Sequence, residues 1–298
     1  MKQIYSYVIG ICICAFVGVI ILAITCRNRI YAWTLGDVPA LYEEAIGLYK
    51  ERRYEEALPL LEQLAGLDTA AYCKFVLGDL YFRGLAGELD YEKALALFKE
   101  SAELNNTDAH NNLGVMYLSG QGVQADYSKA FRHFQYGAAN GNSQAQVGLG
   151  TMYRHGWGTA RNSSAAFDWY RKAAARGNVD AMNNLGYMYE HGFGTQRDPE
   201  KAVACYEQAA RQGLKEAKYN LASMYERGCG TDKNMKKALG LYQESCALGM
   251  TTGEKAIQRV ERAIQRRRVG VLLLGSAGAL TAASVLWQLT RRILGGQR

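Results

Sequence analysis

Asn183–Thr195 reads NNLGYMYEHGFGT, and Asn111–Val123 reads NNLGVMYLSGQGV. A Gly-x-Gly turn can cradle a phosphate, because glycine lets backbone N–H groups close on an oxyanion. The dinucleotide form of that loop needs a preceding strand and a third glycine, and the phosphate loop needs Gly-Lys-Ser/Thr. Here the residues before the turn recur with helical spacing, and the turn itself returns in four consecutive stretches of chain. Nucleotide binding is therefore not expected, and no cofactor is implied.

The other reactive side chains are as sparse. The four histidines are His110, His133, His155 and His191. His155 and His191 are 36 residues apart, so in a stacked repeat they occupy equivalent places on the order of 10 Å apart. That is too far for a shared zinc with bonds of about 2 Å, and exposed histidines beside a helix bend are expected instead. Of the seven cysteines, Cys12, Cys14 and Cys26 lie in or beside an apolar run, while Cys73, Cys205, Cys229 and Cys246 are scattered without C-x-x-C spacing. Such cysteines fit buried or incidental thiols in a reducing compartment. A Cys229–Cys246 disulfide would require an oxidising one. No nucleophile stands at a diagnostic distance from a base, so the chain is not expected to be an enzyme. Asn105-x-Thr107 and Asn162-x-Ser164 match the glycosylation sequon, a pattern that arises easily by chance.

What positions these residues is a period of 36. Gly78, Gly114, Gly150, Gly186 and Ala222 align, as do Tyr81, Tyr117, Tyr153, Tyr189 and Tyr225. So do Gly84, Gly120, Gly156, Gly192 and Gly228, then Ala94, Ala130, Ala166, Ala202 and Ala238, then Phe98, Phe134, Tyr170, Tyr206 and Tyr242. Each unit reads as a helix pair. In the fourth, Ala181, Leu185, Gly186 and Tyr189 share a helical face. Gly192 and Gly194 break that helix, and Asp198-Pro199 opens the second with a cap and a proline at its first position. Gly186 and Ala202 are expected to bring the pair close, with Tyr189 filling the space alongside. Only 3 prolines in 298 residues suits a helical chain.

The pattern A-x3-LG-x2-Y-x2-G-x-G followed by A-x3-Y-x3-A-x2-G resembles the Sel1-like repeat family of tetratricopeptide-like solenoids. It covers five units, 71–106, 107–142, 143–178, 179–214 and 215–250. The first departs from it at Ala86 and Asn105, the fifth at Ala222 and Cys246. Residues 38–70 are similar to an ordinary tetratricopeptide unit, with Ala45, Leu48, Ala57, Leu61 and Leu64 at that family's small and large positions and Asp68 closing it. Ala256, Ile257, Val260, Ala263 and Ile264 mark a basic closing helix, 251–268. The resemblance implies an all-α, right-handed α-solenoid and an adaptor role in protein assemblies.

Two charge-free runs flank the repeats, Ile4–Cys26 and Val269–Thr290, the second bracketed by Arg266–Arg268 and Arg291–Arg292. Each is long enough to span a bilayer. They are expected to be transmembrane helices, 4–26 and 269–290, with Gly275, Ala279 and Ala283 forming a helix-contact stripe in the second. The ends hold 12 of the 35 basic residues and 2 of the 28 acids. The net charge of +7 therefore belongs to the ends rather than to the folded body, which argues against a nucleic-acid partner. Basic flanks on the repeat side favour an integral membrane protein with its repeat domain cytoplasmic; a periplasmic or luminal domain is the alternative.

In such solenoids each unit's first helix lines a concave groove. The residues there that packing does not claim are the candidate partner-binding set: Asn111, Val115 and Leu118; Arg154 and His155; Asn183, Tyr187 and Glu190; Tyr219 and Glu226. Tyr72, Phe75 and Phe82 stand at the same places in the first unit, where they could instead pack on the preceding one. Asn112, Asn184 and Asn220 recur at a position suited to a structural hydrogen bond. The lining suits an extended or helical peptide. The expected function is a membrane-tethered adaptor for a protein or peptide partner. The alternatives are a structural subunit assembled through its spans and a secreted or lipid-anchored envelope factor.

Overall fold

The computed structural model describes residues 38–67 and 70–266. Twelve helices of 12 or 13 residues follow one another. They are α1 (Val38–Lys50), α2 (Tyr54–Ala65), α3 (Ala71–Arg83), α4 (Tyr91–Glu103), α5 (Thr107–Ser119), α6 (Tyr127–Ala139), α7 (Ser143–His155), α8 (Ser163–Ala175), α9 (Val179–His191), α10 (Pro199–Arg211), α11 (Lys215–Arg227) and α12 (Met235–Ala247). A thirteenth, α13, covers 253–266. The described residues are all-α.

The helices fall into two compact units, one ending at Asn140 and one beginning at Gly141. In the first, α1 packs on α2, α3 on α4 and α5 on α6, with α2–α3 and α4–α5 contacts joining the pairs. In the second, α7 packs on α8, α9 on α10 and α11 on α12, and each pair meets the next. The helix α13 closes this unit by placing Ala256 and Val260 in the core of the last pair.

The ends of the helices explain the period. Asp90, Asp126, Asn162, Asp198 and Asn234 each accept the N–H three residues on, capping α4, α6, α8, α10 and α12. Asn106, Asn142 and Asn178 do the same for α5, α7 and α9. Pro199 stands in the first turn of α10, where its missing N–H costs nothing.

The core is a ring set into a slot. Phe98, Phe134, Tyr170, Tyr206 and Tyr242 are buried to 2 % exposure or less. A Cβ built on Gly78 or Gly114 would stand 2.7 Å from the Phe98 or Phe134 ring, and one on Gly150 or Gly186 2.8 Å from the Tyr170 or Tyr206 ring. Each glycine is the floor on which the second helix's ring lies. The filler is thus Tyr206 and its equivalents, not Tyr189. Tyr189 is half-buried, edge-on to Phe167 at 5.3 Å and under the Lys201 ammonium at 5.6 Å. Phe75 and Phe82 likewise pack on Phe98 within their own repeat, at 6.0 and 6.1 Å.

One expectation needs correction. The expectation of an integral membrane protein is not supported: among the described residues no helix is long and apolar enough to cross a membrane. Helices of 13 residues reach about 20 Å at 1.5 Å per residue, short of a hydrocarbon core of about 30 Å. Ile4–Cys26 and Val269–Thr290, with the proposed Gly275, Ala279 and Ala283 contact, lie outside the described residues. Cys229 and Cys246 fit the reading of incidental thiols rather than the disulfide alternative. Both thiols are free, Cys246 Sγ donating to the Met250 carbonyl at 3.3 Å and Cys229 Sγ accepting from Arg197.

Candidate functional site

On the first helices of the second unit, one position reads Arg154 in α7, Glu190 in α9 and Glu226 in α11. The two glutamates are held in the same way. Tyr206 Oη, carried by α10, donates to Glu190 Oε2 at 2.8 Å, and Arg227 at the end of α11 donates to Glu190 Oε1. Tyr242 Oη donates to Glu226 Oε2 at 2.9 Å, and Arg259 of α13 takes both oxygens at 2.8 and 2.7 Å. The Glu190 and Glu226 side chains are only 11 % and 15 % exposed. Burial first, and then the adjacent carboxylate, raises the Tyr206 and Tyr242 phenols. Arg259 holds Glu226 below the usual carboxylate range. Both glutamates are engaged within the chain.

At the third repeat this clamp changes sign. Tyr170 Oη pairs with Thr151 Oγ1 at 3.0 Å. The Arg154 guanidinium contacts His155 Nε2 at 3.0 Å and lies 5.4 Å over the Tyr187 ring. Its Nε is buried with no hydrogen-bond partner among the described residues. Among the described residues no carboxylate forms an ion pair with Arg154 or Arg161. Around them stands an aromatic wall. Tyr187 meets His191 at 4.3 Å and Phe193 at 5.8 Å, and His155 stacks on Trp157 at 4.4 Å. Burial, then Arg154 and Arg161, lowers the His155 pKa. Arg154, His155, Arg161, Ser163, Tyr187 and Phe193 line a recess of about 230 Å³.

The remaining candidates occupy varied settings. Asn183 Oδ1 accepts from Asn220 Nδ2 at 2.9 Å, joining α9 to α11. The Tyr219 ring meets the Tyr242 ring edge-on at 5.1 Å. In the first unit Asn111 donates to Asn112 Oδ1 at 3.2 Å, and Val115 and Leu118 are half-buried. Arg161, Ser163 and Phe193 were not singled out from sequence, because the turn between paired helices offers no periodic signal beyond its glycines. The break at position 154 in a Glu pattern was readable.

The histidines hold one surprise. His110 of α5 and His133 of α6 face each other, Nδ1 to Nδ1 at 3.1 Å, with His110 stacked on Tyr136 at 4.0 Å and His133 on Tyr117 at 5.5 Å. Among the described residues no group of three or more His, Cys, Asp or Glu could hold a metal. Burial, then His110, Arg132 and Lys99, lowers His133 from 6.5 to about 4. A histidine depressed in the folded state leaves the unfolded chain holding more protons between those values, so stability falls as pH drops from about 6.5 towards 4. The thermal midpoint of the first unit's transition should fall between pH 7 and pH 5, and His133→Gln should flatten that fall. An unchanged slope in the variant would remove His133 as its cause.

Comparisons agree with this architecture. The family model described as Sel1 repeat matches residues 71–106, 107–142, 143–178, 179–214 and 215–250. No curated protein matches the chain. Among solved structures, a Sel1 repeat protein from Oxalobacter formigenes is 30% identical, with 72% of this chain and 85% of that one covered and a TM-score of 0.65. A protective antigen present in uropathogenic Escherichia coli strains, displaying the same repeat fold, is 27% identical over 76% of this chain and 52% of its own, with a TM-score of 0.59.

Proposed function

The chain belongs to the Sel1 repeat family, and from that premise we propose that it holds a protein partner as a peptide laid across the first helices of the second unit. Sel1 repeat proteins are generally scaffolds for protein–protein interaction, and the family's repeats are non-catalytic. The observation that carries the reading is the linkage between neighbouring repeats along one face. Arg154 reaches Tyr187, Asn220 reaches Asn183, and Arg227 reaches Glu190. The first helices α7, α9 and α11 are thus tied side by side through aromatic, amide and guanidinium groups. Such a face offers what an extended or helical peptide needs, flat ring faces and fixed donors.

Glu190 and Glu226 are spent on the chain's own clamps, so they set the orientation of the face. Arg154, His155, Asn183, Tyr187 and Tyr219 are left as the contacting set; Asn111, Val115 and Leu118 belong to the first unit and are a separate proposal. Crosslinking of the full chain in its native cells, followed by mass spectrometry, would identify the partner. A folded Tyr187→Ala, Tyr219→Ala double variant should then bind that partner at least tenfold more weakly, as loss of aromatic anchors does. Undiminished binding by a variant with native circular dichroism would place the partner elsewhere.

A further inference from the structure

We propose that the recess at Arg154 is a receptor for a carboxylate side chain of an acidic peptide partner. The inference rests on the reading above and gives it a charge.

Its basis is a comparison the chain makes with itself. In the fourth and fifth repeats a carboxylate sits under a phenol of its own repeat and a guanidinium from two helices further along the chain. In the third repeat the guanidinium of Arg154 occupies the carboxylate's place, and Tyr170 has turned to Thr151. The component missing from that neighbourhood is the acid. Arg154 keeps a buried Nε without an acceptor, and Arg161 stands at the same recess with no carboxylate paired to it among the described residues. None of the six lining residues is acidic. Arginine presents its donors as a rigid fork that matches a carboxylate, which strengthens both hydrogen bonds.

Size and walls select the source of the anion. The recess is about 230 Å³, below the roughly 300–1,000 Å³ of pockets that enclose a small molecule. It admits a Glu or Asp side chain and little more. Tyr187 and Phe193 offer ring faces to the methylene stem. His155 contacts Arg154 at 3.0 Å, and burial, then the Arg154 and Arg161 charges, holds it towards the neutral form. The two arginines therefore supply the positive charge.

The test is a random peptide library displayed on phage and selected on the immobilised full chain, in parallel with Arg154→Glu and Arg161→Gln chains. Glutamate is the residue the next two repeats carry at position 154, so the fold admits that substitution. The native chain should enrich peptides with an Asp or Glu at one fixed position. Changing that acid to Gln or Asn should weaken a selected peptide at least tenfold. The Arg161→Gln chain should bind the same peptides several-fold more weakly. The Arg154→Glu chain should lose the acid preference and enrich Lys or Arg there, a gain that a misfolded variant cannot show. Enriched peptides without an acidic position would overturn the inference and leave the interaction face standing. An acid preference that survives Arg154→Glu would overturn the assignment to this recess. Competition by inorganic phosphate, without any acid preference among the peptides, would make the recess a small-anion site and overturn the peptide claim. No enrichment of any peptide would count against the interaction face itself.

Discussion

Tyr206→Ala is expected to destabilise the second unit by about 3–5 kcal/mol, and Tyr206→Phe by only about 1 kcal/mol. The ring is fully buried and lies on Gly186, where even a Cβ would stand 2.8 Å away. Truncation empties a slot whose floor is glycine, so no side chain of α9 can lean in to refill it. The hydroxyl is a smaller matter. Its hydrogen bond to Glu190 at 2.8 Å is one of two that hold that carboxylate, and Arg227 supplies the other. Phe98 and Phe134 fill the same slot in the first two repeats with no hydroxyl, which shows that the ring alone satisfies the packing. Urea denaturation followed by circular dichroism reads both variants. Because each repeat is stabilised by its neighbours, loss of the α9–α10 slot should lower the transition of the whole second unit. If Tyr206→Phe proved as damaging as Tyr206→Ala, the buried hydrogen bond and not the ring would be holding the helix pair together.

The helix pairs were legible because the requirements that produce them recur. A small floor residue (glycine in four units, Ala222 in the fifth), a ring, a small residue and an αL turn each return every 36 residues, and five copies of a local rule leave little room for another fold. The identity of the filler was not legible. Tyr189 and Tyr206 are both periodic, and only the backbone places one half-buried beside Lys201 and the other in the slot. The caps were read at Asp198 alone, although Asn142 and Asn178 follow the same rule. The candidate face was read by subtracting core positions, which cannot tell an unused side chain from one engaged across repeats. Glu190 and Glu226 are the instructive cases, since their partners Arg227 and Arg259 lie 37 and 33 residues away. The His110–His133 contact was invisible for a related reason: it joins non-equivalent positions of one repeat, and no period marks it.

The two glycines of the Gly-x-Gly turn should separate sharply on substitution. Gly192→Ala is expected to cost about 1–2 kcal/mol, the strain of placing an L side chain in the left-handed region. Its φ is 72°, and the nearest atom to an added Cβ is the Arg197 Cβ at 3.2 Å, a neighbour with room to yield. Gly194→Ala should cost about 2–5 kcal/mol, the same strain plus overpacking. At φ 68° its Cβ would stand 2.1 Å from the Ser163 carbonyl oxygen and 2.4 Å from that carbonyl carbon. Both are backbone atoms of the first turn of α8, so relief requires the third and fourth repeats to part. Gly230 repeats the arrangement at 2.3 Å from the Pro199 carbonyl, and Gly230→Ala should behave alike. The first repeat offers a natural control. It carries Ala86 at this place, and there the positive φ moves to Gly87. Alanine is thus accommodated by rerouting the turn, not by occupying the glycine's conformation. The Gly194 contact also sets where Tyr187 stands relative to Arg154, 5.4 Å away on the neighbouring repeat. A Gly194→Ala chain that stays folded should therefore lose affinity for the partner, whereas Gly192→Ala should keep it. Equal costs for the two substitutions in thermal unfolding would show that turn conformation, not the approach of neighbouring repeats, is what the second glycine serves.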